Sequence, residues 1–226
     1  GAVVAIEPGT GGILAMVSKP GYNPNTFVTG FSETEFEEIK NSASKPFFNR
    51  AAEGQYAPGS TFKPIVGLGA ISFGLMDWDT IIDDKGTFSL PGRDRVYRDW
   101  AWTPKNPGGQ GKVDLRRAIY RSSNIYFYDV ASRMDIGMLA SFTKQFGYGK
   151  KLILDFPNVV TGLVPNEEWK QKVRGEKWYQ GDTVNLGIGQ GDLLAVSYTH
   201  LRAHETGRNL VWRHELEKKI GGGGGG

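Results

Sequence analysis

Two side chains three residues apart, Ser60 and Lys63 in QYAPGSTFKPIVGLGA (55–70), have the types and spacing for nucleophilic catalysis. A serine hydroxyl attacks a carbonyl poorly until a base takes its proton. Positions i and i+3 share one face of a helix, so the Lys63 amine would stand beside the Ser60 hydroxyl. With Ser60 at a helix start, the helix dipole would favour the neutral amine that a base must be. The dipole would also favour negative charge developing at the backbone N–H of Ser60. Pro58–Gly59 suit a tight turn that delivers the serine to a cleft.

The pattern does not select a nucleophile by itself. Ser42 with Lys45 and Ser141 with Lys144 repeat it. A serine at a helix start is equally an N-cap, with a surface lysine behind it. A second element is YRSSNIYFYDVA, where Ser122-Ser123-Asn124 is the only Ser-x-Asn in the chain. Alone it too reads as a polar cap before a helix.

The elements that would position these residues can be read in outline. AVVAIE (2–7) and ILAMVS (13–18) flank PGTGG and predict two antiparallel strands joined by a glycine-rich turn. Ser32 and Glu35 form a capping-box pattern for a short helix in SETEFEEIK. Residues 60–75 carry helical spacing, with Gly67, Gly69 and Gly74 allowing close packing. Residues 83–112, rich in Gly, Pro, Asp and Trp, predict an irregular loop with at most short strands. Helical patterns return at 114–121, 125–134 and 136–146, the last with Asp135 as cap and Gly147 past its end. Residues 150–185 read as mixed and loop-rich, with Glu167 and Glu168 as helix-start carboxylates.

Composition narrows the function classes. The 226 residues are 39% hydrophobic and hold no cysteine, which removes disulfides, thiolate metal sites and cysteine nucleophiles. The net charge of +3 gathers toward the end, where five cations from Arg202 to Lys219 face three glutamates. The body has no basic stripe, so nucleic acid is not an expected partner. No apolar run reaches the ~18 residues that cross a bilayer. The opening GAVVAIEPGTGG has no starting Met and reads as an internal piece or a processed form. All three histidines (200, 204, 214) lie near the end, so neither zinc nor another cofactor is expected. GIGQG lacks the Lys-Ser/Thr of a phosphate loop.

Ser-x-x-Lys followed by Ser-x-Asn is similar to the first two motifs of penicillin-binding proteins and serine β-lactamases. VVAIEPGTGGILAMVSKPGYNPNTF, NRAAEGQYAPGSTFKP, VYRDW, FGYG and WYQGDTVNLGIGQGD resemble, in that order, the transpeptidase domain of class B penicillin-binding proteins, elongation type. The resemblance covers about 1–194. It implies an α+β fold of the serine β-lactamase/D,D-peptidase kind: a five-stranded antiparallel sheet with helices on both sides, beside a helical subdomain. It also implies that Ser60 attacks the D-Ala-D-Ala bond of a peptidoglycan stem peptide to form an acyl-enzyme, with its backbone N–H serving the oxyanion. Lys63 would take the proton, Ser122 pass it to the departing D-alanine, and Asn124 hydrogen-bond substrate and Lys63. β-Lactams would acylate the same serine. Expected partners are stem peptides, β-lactams and a polytopic glycan polymerase; the expected setting is periplasmic, behind one N-terminal membrane anchor.

The sequence departs from the family in one motif. Lys-Thr/Ser-Gly, which clamps the substrate carboxylate, is missing; HETG (204–207) puts glutamate where lysine belongs. Residues 1–196 are therefore expected to be the N-terminal part of the domain, truncated before the later sheet strands. Residues 197–220 are expected to be a foreign tail resembling translated sequencing-adapter read-through, and 221–226 a glycine run. Such a chain is expected to be marginally folded and inactive although its parent is an enzyme. The alternatives are a β-lactam sensor domain and a β-lactamase or D,D-carboxypeptidase relative, for which Glu167–Glu168 would have to hold a water.

Overall fold

The structure is a computed structural model that describes residues 1–150 and 160–197. The tail from 198 on, with its HETG stretch and the terminal glycines, lies outside the described residues. The described residues divide into two compact units, one of 1–56, 146–150, 160–162 and 195–197, the other of 57–145 and 163–194.

In the first unit, β1 (Ala2–Ile6) and β2 (Ile13–Ser18) pair antiparallel, Ala2 opposite Ser18 and Ala5 opposite Ala15. Glu7 N donates to Gly12 O at 2.8 Å across the predicted turn, with Gly11 left-handed at φ 71°. α1 (Thr26–Thr29) is a single turn. α2 (Glu33–Lys40) carries the predicted capping box: Glu35 N donates to Ser32 Oγ, and Ser32 N to Glu35 Oε2 at 3.0 Å. The rings of Tyr22, Phe27, Phe31, Phe36 and Phe47 pack edge-on or tilted, with centroids 4.7–6.1 Å apart. β3 (Gln55–Tyr56) pairs antiparallel with β8 (Ala195–Val196).

The second unit is mostly helical. A 3₁₀ turn, Gly59–Phe62, runs into α3 (Lys63–Ser72). The predicted single helix over 60–75 is thus divided, for a covalent reason. Pro64 has no N–H to donate to the Ser60 carbonyl, so that oxygen takes the Lys63 N–H in a tighter bond. Four short strands follow: β4 (Ile82–Asp84), β5 (Thr87–Ser89), β6 (Val96–Arg98) and β7 (Gly111–Val113). β4 pairs with β7 and β5 with β6, both antiparallel. Of the implied five-stranded sheet, the described residues hold only two-stranded pairings.

α4 (Leu115–Tyr120), α5 (Asn124–Ser132) and α6 (Ile136–Gln145) fall where the periodicity puts them, and Asp135 Oδ1 accepts from Gly137 N at 2.7 Å. α7 (Glu167–Arg174) and α8 (Gln180–Leu186) interrupt the stretch read as loop-rich. α7 has only Trp169 and Val173 as apolar residues, too thin a stripe to announce a helix, yet Asn166 caps it and left-handed Gly175 ends it. α5 is the hub of this unit. It buries Ile125, Tyr126, Phe127, Tyr128, Val130 and Ala131, and packs on α3 and α8. Each large side chain so buried contributes roughly 1.5–3 kcal/mol. Gly67 lets Leu115 reach the α3 backbone: a Cβ there would lie 2.6 Å from Leu115 Cδ1.

Candidate active site

Ser60 is exposed on the 3₁₀ turn, while Lys63, at the head of α3, is 1% exposed. The turn is held from below by the GIGQG loop. Gly59 N donates to Gly189 O at 2.9 Å, and both glycines are left-handed, at φ 59° and 70°. A Cβ on Gly189 would sit 2.1 Å from Gly59 O, so only glycine permits this approach. GIGQG therefore supports the serine's turn.

The Ser-x-Asn segment meets Lys63 from the N-terminus of α5. Lys63 Nζ donates to the Ser122 carbonyl oxygen at 2.7 Å, Ser122 Oγ at 3.0 Å and Asn124 Oδ1 at 2.7 Å. Ser122 Oγ in turn donates to Ser60 Oγ at 2.9 Å. The hydrogen-bonded path from Ser60 to Lys63 thus runs through Ser122, whereas the i, i+3 spacing predicted direct contact. Capping falls to Ser123, whose Oγ accepts from Tyr126 N at 3.1 Å; Ser60 makes no capping bond. The remaining Asn124 atom, Nδ2, belongs to a side chain that lines the cleft.

The electrostatics also differ from expectation. Burial pushes the Lys63 amine down to about 8, against the pull of Asp99 and then Asp84, which favour the ammonium. Desolvation is the cause, where the sequence pointed to the helix dipole. The ring of Phe127 lies 5.6 Å from Nζ and forms part of that low-dielectric wall. A cleft of about 320 Å³ opens over these groups, lined by Ser60, Trp100, Ser122, Asn124, Ile188 and Gln190.

The two repeats of Ser-x-x-Lys are distinguished by burial. Ser42 Oγ shares a hydrogen bond with Ser44 Oγ, and Ser141 Oγ donates to Met138 O; Lys45 and Lys144 are exposed. Glu167 and Glu168 stand exposed in the first turn of α7 and do not line the cleft. His200 and His204 lie outside the described residues. Among the described residues, no three His, Cys, Asp or Glu side chains gather as a metal site.

Asp84 and Asp99 were not singled out from the sequence. Asp84 Oδ2 accepts from Ser123 Oγ at 2.6 Å, and Asp99 Oδ2 from Asn124 N at 2.7 Å. Both lie in the stretch that the sequence shows only as an irregular loop, where no spacing singles them out; Asp99 falls within VYRDW.

Residues 1–203 match the family model described as the penicillin binding protein transpeptidase domain. The peptidoglycan D,D-transpeptidase MrdA of Acinetobacter baumannii is 44% identical over 195 residues, 86% of this chain. The chain spans 28% of that relative's length. Pseudomonas aeruginosa PBP2, solved with WCK 5153, superposes with a TM-score of 0.83 at 43% identity, covering 90% of this chain and 45% of that one. A chain from a structure of polymerization and crosslinking by a peptidoglycan synthase complex matches with a TM-score of 0.79 at 31% identity, covering 91% and 34%.

Proposed function

The chain belongs to the penicillin-binding protein transpeptidase family, and from that premise we propose that its second unit holds the acylating centre of an elongation-type peptidoglycan D,D-transpeptidase. The observation that carries this reading is the path Ser60–Ser122–Lys63. Three oxygens face Lys63 Nζ, matching the three N–H bonds of an ammonium. When the amine loses its proton, one oxygen must face a lone pair. The Ser122 carbonyl and Asn124 Oδ1 can only accept, so the Ser122 hydroxyl must turn and donate. Its oxygen then accepts the Ser60 proton, and the chain points from nucleophile to base.

With that polarity, Ser60 Oγ attacks the carbonyl carbon of the D-Ala-D-Ala bond as its proton moves to Ser122 and the Ser122 proton moves to Lys63. The tetrahedral oxyanion meets the Ser60 backbone N–H. The C–N bond breaks, and the proton returns from Lys63 through Ser122 to the leaving D-alanine amine. An amine from a neighbouring stem then displaces Ser60 and forms the cross-link. Asn124 holds Lys63 through Oδ1 and keeps Nδ2 for a substrate carbonyl. A β-lactam enters by the same attack, but its ring opens without losing a leaving group, so the adduct stays in place.

The wider assignment follows the family. Stem peptides are the substrates, β-lactams are covalent ligands, and a polytopic glycan polymerase is the partner. The domain works in the periplasm behind an N-terminal anchor. Among the described residues, no helix is long and apolar enough to cross a membrane. Residues 1–196 form the N-terminal part of the transpeptidase domain.

The test is labelling with a fluorescent penicillin followed by peptide mapping, with cooperative unfolding as the check of fold. Without a carboxylate clamp among the described residues, labelling is expected to be slow and substoichiometric, confined to Ser60 and lost in Ser60→Ala. Labelling at Ser42 or Ser141, or none from a cooperatively folded chain, would overturn the reading.

A further inference from the structure

Two carboxylates that the acylation chemistry does not use stand behind it. Asp84 closes β4 and Asp99 follows β6; they are 1% and 3% exposed. Burying a carboxylate is costly unless its oxygens meet donors, and here each one does. Asp84 Oδ1 accepts from Gly86 N at 2.9 Å, and Oδ2 from Ser123 Oγ at 2.6 Å. Asp99 Oδ1 accepts from Ala101 N at 3.0 Å and Gln110 Nε2 at 3.3 Å, and Oδ2 from Asn124 N at 2.7 Å.

The donors Ser123 and Asn124 are consecutive, and they directly follow Ser122, a non-glycine residue in the left-handed region at φ 54°. Such a conformation persists only where the surroundings over-determine it. The supporting loops are themselves fixed. Asp99 N donates to Gly86 O at 2.9 Å, and Gly109 passes so close that a Cβ would lie 2.1 Å from Asp84 O.

We propose that Asp84 and Asp99 are positioning residues of the acylation site, fixing Ser123 and Asn124 so that Ser122 keeps the left-handed conformation that turns both its oxygens to Lys63. The proposal rests on the reading of Ser60 as nucleophile. Neither carboxylate lines the cleft. Both act on Lys63 only through the turn they hold and through their charge, which opposes the effect of burial on the amine.

Asp99→Asn replaces one acceptor oxygen by an N–H₂ group among donors and removes one negative charge. Labelling of Ser60 by fluorescent penicillin is expected to slow on the order of 10²-fold, the scale of a small misplacement of reacting groups. The Lys63 ¹³Cε resonance, followed through its titration by NMR, is expected to reach its midpoint at a lower pH than in the wild type. Wild-type labelling overturns the proposal, and so does slowed labelling with an unmoved Lys63 midpoint, which would assign Asp99 to general stability. Where Asp99→Asn does not fold, Asp84→Asn weakens the tie to Ser123 and leaves the Ser123 cap of α5 in place; slowed labelling with a lowered Lys63 midpoint supports the proposal and a wild-type rate defeats it. The Lys63 titration is read without penicillin. Persistent labelling in Ser60→Ala, which would defeat the nucleophile reading, is therefore distinguished from failure of this one.

Discussion

Both oxygens of Ser122 face the same amine: Lys63 Nζ lies 2.7 Å from its carbonyl oxygen and 3.0 Å from its hydroxyl. One residue thereby supplies two of the three acceptors around a buried ammonium, from a backbone held left-handed at φ 54°. The left-handed conformation costs an L-residue about 1–2 kcal/mol, and two buried carboxylates hold the residues that follow it.

Strain and chemistry at Ser122 can be separated. Ser122→Ala keeps the Cβ and removes the hydroxyl, so labelling of Ser60 is expected to fall by about 10²–10³-fold, the contribution of a positioned proton carrier. Ser122→Gly removes the hydroxyl and the conformational penalty together. Its labelling is expected to be as slow as that of the alanine variant, while its thermal midpoint is at or above the alanine variant's. Fast labelling by the glycine variant would show that Ser122 carries no proton.

The lowered Lys63 amine predicts a pH profile. Only the neutral amine accepts a proton, so labelling is expected to rise about tenfold per pH unit toward pH 8 and to level above it. Stability moves in the same direction. Between about 8 and the ordinary 10.5 the unfolded chain holds a proton that the folded chain has released, so unfolding free energy from this group rises with pH across that window. A profile flat from pH 6 to 9 would exclude Lys63 as the base.

Ser60, Lys63 and the Ser-x-Asn turn are legible as local motifs, but Ser-x-x-Lys occurs three times, and it is the ordered family resemblance that singles out Ser60. What escaped was non-local. Lys63 spacing suggests direct contact with Ser60 and a helix-dipole effect, but its environment is set by burial under Phe127 and by Asp84 and Asp99, which arrive from separate short strands. GIGQG looks like a failed phosphate loop until its carbonyl is seen to accept from Gly59. α7 and α8 were hidden because capping and one buried ion pair, more than an apolar stripe, define them.

The backbone approach beneath Ser60 predicts that Gly189→Ala is damaging for two independent reasons. Its φ of 70° disfavours any Cβ, and that Cβ would overlap Gly59 O at 2.1 Å. A loss of about 2–4 kcal/mol is expected in urea unfolding, with loss of Ser60 labelling. Gly74→Ala is the control: φ is 68° but the space around it is open. It should cost only about 1 kcal/mol and leave labelling unchanged. Equal costs for the two would remove the steric part of the argument.

A second buried cation among the described residues predicts an asymmetry between its partners. Lys170 in α7 is 6% exposed and donates to Asp182 Oδ2 at 2.6 Å, with Glu176 farther off at 3.6 Å. Burial lowers its pKa, but the hydrogen bond and charge of Asp182, together with those of Glu176, outweigh that and the net direction is upward. Stability from the pair is therefore complete below the ordinary lysine pKa and fades as pH rises through the higher folded value. Asp182→Ala leaves the ammonium between the Tyr179 and Trp178 rings with the more distant, exposed Glu176 as its carboxylate, and also takes the acceptor from Tyr179 N. It is expected to cost about 2–3 kcal/mol at pH 7. Lys170→Met keeps much of the volume and leaves Asp182, which is more exposed, to water, so it should cost clearly less. Urea unfolding of the two variants decides it: if Lys170→Met is as costly as Asp182→Ala, the pair itself and not the stranded charge is what stabilises this corner.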